Sequence, residues 1–175
     1  MLAIELTDTK TSQHLKVNSG AFGDGDVIPP EFSAQEGGGS FPLAWSEGPI
    51  GTRSYAVLVE DPDAKSSPGP YVHWVVWNIP ARTTHLPPSV PAEPQLDDPP
   101  GASQGTASGG GVGYEGPSPP GGDPAHHYHV EVFALDRMLE LRDGAGREEL
   151  VAAIAGHVLA SGELVGTFEQ DGARA

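Results

Sequence analysis

Cysteine is absent from the 175 residues. Without it no disulfide, thiolate metal site or cysteine nucleophile can form, and the redox state of the compartment leaves no mark on the chain. Basic residues are scarce: nine Lys and Arg stand against 24 Asp and Glu, for a formal charge of −15 and a pI near 4.6. A surface of that sign repels phosphate backbones and anionic membranes, which sets nucleic acid aside as a partner. Long apolar runs are missing too. No stretch approaches the roughly 20 residues that a membrane-spanning helix needs, so membrane insertion is not expected. The opening MLAIELTDTKTSQHL has neither the basic flank nor the apolar run of a secretory signal, and cytoplasmic residence is the default expectation.

What the chain has in quantity is glycine and proline, 24 and 18 residues. That share approaches the composition of disordered chains. Between the Gly/Pro clusters, however, lie apolar segments that alternate, which argues for strands joined by long structured loops. The length suits a single domain over residues 1–175 with a full core.

Leu2–Leu6 reads as a short edge strand. Phe32, Phe41, Leu43 and Trp45 are core anchors in an otherwise broken segment. Ser54–Glu60 alternates, with Tyr55, Val57 and Val59 sharing a parity that continues to Asp61. Tyr71–Ile79, YVHWVVWNI, is apolar on both sides, as a central strand covered on both faces would be. Residues 80–125 hold 11 of the 18 prolines and no periodic element; order is expected at Gly109–Pro124 and mobility at Pro87–Gly105. A strand follows at His126–Leu135. Arg147–Ser161 then reads as the one clear helix, with Leu150, Ile154 and Val158 in an i, i+4 row, Gly146 at its start and Gly162 at its end. Leu164–Phe168 is a last strand. Many strands, long connections and a single late helix predict a mainly β protein, an antiparallel Greek-key β-sandwich.

Chemistry concentrates at two places. One is Asp61-Pro62-Asp63 with His73 downstream; the other is the stiff loop Gly116–Gly122 running into His126-His127-Tyr128. A DPD tripeptide after a strand also serves as an ordinary Asx turn. As a Ca²⁺ site it would fall short of the roughly 6–8 oxygens that ion takes. Adjacent histidines point to opposite faces of a strand, so His126 groups with Tyr128, and a three-histidine zinc site lacks a third ligand of matching parity. No metal and no cofactor are expected. If Asp61, His73, His126 and Tyr128 converge under the loop, imidazole, phenol and backbone N–H groups face one space, and a buried carboxylate orients a histidine and keeps it protonated. Such a place suits a small anion.

Those same residues carry a resemblance. GYEGPSPP followed by HHYHVEVFALD, the block Asp61-Pro62-Asp63-Ala64 with His73-Trp74 beyond it, and the late GHVLASGELVGTFE resemble the signatures of the phosphatidylethanolamine-binding protein family, in its bacterial Raf-kinase-inhibitor-like branch. The resemblance covers nearly the whole chain. It implies a pocket for phosphate-type head groups lined by Asp61, His73, His126 and Tyr128 with Ser118, Pro119 and Pro120 of the loop, and a structural role for Asp63. It also implies a homodimer and regulation of a kinase or protease partner, for which the Pro87–Gly105 segment is the expected docking place. Two positions depart from the pattern: Lys65 replaces a usual proline, and Ser118 stands where bacterial relatives often have cysteine.

The expected function is non-enzymatic binding of a small anionic or phosphorylated ligand. The alternative is an esterase or phospholipase-like hydrolase using Ser118 with a pocket histidine, although GPSPP lacks the strand-to-helix elbow of a GxSxG enzyme.

Overall fold

The apolar runs expected as strands build one sheet that is covered on both faces. The computed structural model describes residues 1–65 and 67–170. Its elements in chain order are α1 (Ala3–Leu6), β1 (Val17–Asn18), β2 (Leu43–Trp45), β3 (Ser54–Asp61), β4 (Tyr71–Pro80), β5 (His85–Leu86), β6 (Ser103–Gln104), β7 (His126–Leu135), α2 (Arg147–Ile154) and β8 (Val158–Phe168). The large sheet has the order β6-β4-β3-β7-β8, the small one β1-β2-β5, and every pairing is antiparallel. From β4 the chain visits the small sheet as β5, returns to the large sheet as β6 beside β4, and then crosses to β7 on the other side of β3, which is the Greek-key step of the sandwich.

Parity decides which core each side chain enters. Tyr55, Val57, Val59, Trp74, Val76, Tyr128, Val130 and Val132 meet Phe41, Leu43, Trp45 and Leu86 between the sheets. On the outer face Ala56, Leu58, Val75, Trp77, Phe133 and Leu135 pack under Leu150 and Ile154 of α2.

Several expectations need correction. Leu2–Leu6 is not a strand. The N–H groups of Ala3 and Ile4 donate to the buried carboxyl groups of Glu60 (2.7 Å) and Glu131 (2.6 Å), and a helical turn is what aims consecutive N–H groups the same way. Arg147 pairs with Glu60 beneath it. The nearby Glu131 carboxyl is held above its usual range by burial and by the facing Glu60 carboxylate.

The late helix stops at Ile154, not Ser161. Gly156 takes φ +81°, which ends it, and Val158 starts the longest strand of the sheet. Gly162 therefore caps nothing: it lies in β8 opposite Val132, where an added Cβ would come 2.0 Å from the Leu15 carbonyl oxygen. The last strand accordingly begins at Val158 rather than Leu164.

Pro87–Gly105 is packed, not loose. Val90, Leu96 and Ala102 are buried, and one side chain fastens the segment: Gln104 accepts from the Trp74 indole N–H at 2.7 Å and donates to the carbonyls of Pro91 (2.6 Å) and Glu93 (2.9 Å). The proline-rich stretch also supplies two short strands, β5 and β6.

Candidate functional site

The four side chains picked out in the sequence meet at one end of the large sheet. Asp61 ends β3, His126 opens β7, and Tyr128 follows two residues on, on the same face. His73 arrives there by an irregularity. Val59 pairs with Trp74 but Glu60 pairs with Val72, so His73 is the extra residue of a β-bulge. A bulge re-aims the side chain it inserts. His73 and Trp74 thus both lie on the inner side, with Trp74 in the core and His73 in the pocket wall.

Each group is fixed by a partner. His126 Nδ1 lies 2.7 Å from Asp61 Oδ2, and its Nε2 lies 3.0 Å from Asp123 Oδ2. Ionised carboxylates only accept, so both ring nitrogens carry hydrogen and His126 is an imidazolium. Burial works against that charge, but the bonds to Asp61 and Asp123 outweigh it and raise the His126 pKa. His73 goes the other way. Burial lowers its pKa although Glu115 and Asp61 oppose it. Its Nδ1 lies 2.7 Å from the Glu115 carbonyl oxygen, which can only accept. Neutral His73 therefore spends its single N–H on the protein and presents Nε2 as an acceptor. Burial, with Asp61 nearby, pushes the Tyr128 phenol up, so it stays a donor. Among the described residues its hydroxyl has no hydrogen-bond partner. The His73 and Tyr128 rings meet edge to face, 5.1 Å apart.

The loop that roofs the site is tied down at both sides. Glu115 N–H donates to the His73 carbonyl at 2.8 Å, and the Pro117 carbonyl accepts from Ala34 N–H at 3.0 Å. The Tyr114 hydroxyl donates to the Phe32 carbonyl at 2.8 Å. Together these elements enclose a cavity of about 660 Å³. Asp61, His73, Ser118, Pro119, Pro120, His126 and Tyr128 all line it. The side chains of Asp61, His73, His126 and Tyr128 are otherwise buried, so the cavity is their route to a ligand.

Asp63 stands outside this wall. Its carboxylate accepts from the backbone N–H of His127 at 2.7 Å and from the His127 ring at 2.8 Å, and so fastens the Asp61 turn to the start of β7. Lys65, which stands where the family pattern has a proline, also lines the cavity.

Three polar lining residues escaped the sequence reading: Tyr71, Glu115 and Asp123. Tyr71 shares parity with His73, two residues back, and its hydroxyl donates to Glu115 at 2.5 Å; burial and that carboxylate push its pKa up to about 12. Asp123 sits three residues before His126, a spacing that could have exposed it.

Among the described residues no cluster of three or more His, Asp or Glu side chains could hold a metal ion. No helix there is long and apolar enough to cross a membrane.

The sequence profile of the phosphatidylethanolamine-binding protein family matches residues 18–169. The chain belongs to that family. A UPF0098 protein of Pyrococcus horikoshii is 40% identical over 156 residues, covering 89% of this chain and 77% of that protein. The putative lipoprotein LppC of Mycobacterium tuberculosis is 36% identical over 163 residues, 93% of this chain and 76% of its own. Among solved structures, a putative phosphatidylethanolamine-binding protein homolog from Chlamydia trachomatis superposes with a TM-score of 0.80 at 36% identity, and YbcL of E. coli with 0.81 at 32%. Each comparison covers 91% of this chain and 100% of the other. Family membership agrees with the sandwich, its two antiparallel sheets and its short C-terminal helix, and supports a ligand-binding protein of this fold.

Proposed function

We propose that the cavity binds a small phosphorylated ligand, held by Asp61, His73, His126 and Tyr128 beneath Ser118-Pro119-Pro120, and that the protein does no covalent chemistry on it. The observation that supports this most is the division of labour between the imidazoles. One is a cation whose charge Asp61 maintains; the other is neutral with an acceptor left over; a phenol donor lies beside them. A phosphoryl group that still carries one proton offers this set what it lacks, because its anionic oxygens accept from His126 and Tyr128 while its P–OH donates to His73.

Hydrolysis is the weaker reading. Ser118 is exposed and makes no hydrogen bond to either imidazole, and His126, bonded through both nitrogens to carboxylates, cannot serve as its base. An ester panel measured with wild type and Ser118→Ala separates the two: turnover lost in the variant would favour the hydrolase.

The finer expectations raised by the sequence belong to the same proposal: a homodimer and a kinase or protease partner, from the family resemblance, and cytoplasmic residence. Light scattering, pull-down and fractionation are their respective checks. With Pro87–Gly105 packed onto Trp74, a partner would meet a fixed surface there rather than an ordering loop.

Calorimetry with inorganic phosphate and with a phosphomonoester tests the site. His73→Ala combined with Tyr128→Phe abolishes binding of both and leaves thermal stability largely intact. Unchanged binding removes the site assignment.

A further inference from the structure

Asp123 lies where a ligand oxygen belongs. Its Oδ2 accepts from His126 Nε2 at 3.0 Å, and with Nδ1 committed to Asp61 that Nε2–H is the one donor His126 can offer the cavity. The side chain is only partly covered, 23% exposed against 5% for His126. It also has somewhere else to go. Asp123, Lys65 and His126 line both the main cavity and an adjoining cleft of about 320 Å³, so the Asp123 carboxylate is a partition between the two spaces. The cleft supplies a cation, Lys65, and the chain before Asp123 supplies a pivot: Gly121-Gly122, with Gly122 at φ +91°. The turn bond from Asp123 N–H to the Pro120 carbonyl is long, 3.3 Å.

We propose that Asp123 is a built-in occupant of the anion position, which a phosphoryl ligand must displace from His126 and which withdraws toward Lys65 in the adjoining cleft when it does. This rests on the phosphate reading above. It gives that site a regulator, because the apparent affinity of a ligand is divided by the fraction of molecules in which the position is open. Whatever stabilises the withdrawn Asp123 strengthens binding without touching the ligand.

The opposite role is also chemically definite: Asp123 could act only as a support that keeps His126 charged, and removing it would then weaken binding. Titration calorimetry with inorganic phosphate at neutral pH and fixed ionic strength distinguishes them, using wild type, Asp123→Ala, Asp123→Asn and Glu115→Gln. Thermal melts confirm that each variant is folded. If Asp123 competes, Asp123→Ala binds phosphate about tenfold more tightly or better, as expected when the open position is populated about a tenth of the time or less in wild type. Asp123→Asn gains less, because its amide oxygen still accepts from His126. Glu115→Gln removes an equal charge from the cavity wall but leaves His126 Nε2 bonded to Asp123, and gains least.

Equal or weaker binding by Asp123→Ala overturns the competition while leaving the phosphate site standing. An equal gain in Glu115→Gln reduces the effect to general charge and overturns it as well. No phosphate binding by any of the four proteins removes the phosphate reading and this inference together.

Discussion

At the scale of single residues the pocket depends on two imidazoles tuned in opposite directions. His126 has its folded pKa raised above the unstructured value near 6.5, and His73 has its own lowered below it. The consequences for stability also oppose. The His126 contribution is complete below about pH 6.5 and is lost as pH rises through its folded pKa; the His73 contribution is present above about pH 6.5 and is lost as pH falls through its folded pKa. Between those two values the protein holds one charged and one neutral imidazole, which is the state the proposed ligand requires. An NMR titration of the histidine side chains is predicted to find His126 titrating above about pH 6.5 and His73 below it. Coincident midpoints, or the reverse order, would contradict the assignment of roles. Asp61→Asn should bring the His126 midpoint down, since it removes one of the two carboxylates that outweigh burial.

At the scale of elements, the informative cases are those where local pattern met long-range chemistry. The strands at Ser54, Tyr71 and His126 were legible because alternation and β-branched residues say the same thing as the sheet. The first turn of the chain was not, because the carboxyl groups that take its N–H groups lie 57 and 127 residues away in sequence. The helix was read too long because Val158 continues the Leu150–Ile154 row; Gly156 was the stop signal within it. His73 was placed correctly by its neighbourhood with Trp74 and Asp61, yet strict alternation would have turned it away from Trp74's side, and only the bulge in pairing shows why it faces the pocket. Asp123 and Glu115 went unread because loops, not periodicity, bring them in; Tyr71 opens β4 two residues before His73 and was legible by parity.

The segment expected to be mobile supplies the test at this scale. Gln104→Leu keeps the side chain's approximate size but leaves the Trp74 indole N–H and the Glu93 carbonyl without their partner, while the Pro91 carbonyl keeps the Glu93 N–H. Leaving buried polar groups unpaired costs about 1–3 kcal/mol each where no water reaches them, so the variant is expected to lose about 3 kcal/mol in denaturant unfolding. A loss under about 0.5 kcal/mol would mean the segment is held by its apolar contacts alone.

Taken whole, the molecule surrounds the proposed anion pocket with a net charge of −15. The apparent conflict resolves by distance. Beyond about 8 Å at physiological salt the acidic surface is largely screened, while His126, 5% exposed, acts on a ligand at contact distance. On the proposed reading the acidic shell disfavours polyanions, and the buried cation with its neighbouring phenol selects one small oxyanion. Protonation of that oxyanion then matters more than its charge. Phosphate near neutral pH can bring the hydrogen that His73 Nε2 accepts, and sulfate cannot.

The most direct test follows the side-chain nitrogen signals of His73 and His126 while phosphate, and separately sulfate, is added at neutral pH and about 0.15 M ionic strength. Both histidines are predicted to shift together and saturate with phosphate, with sulfate weaker by about tenfold, the equivalent of one hydrogen bond of about 1.4 kcal/mol. Signals that stay fixed through the phosphate titration, or that respond equally to both anions, would contradict the account.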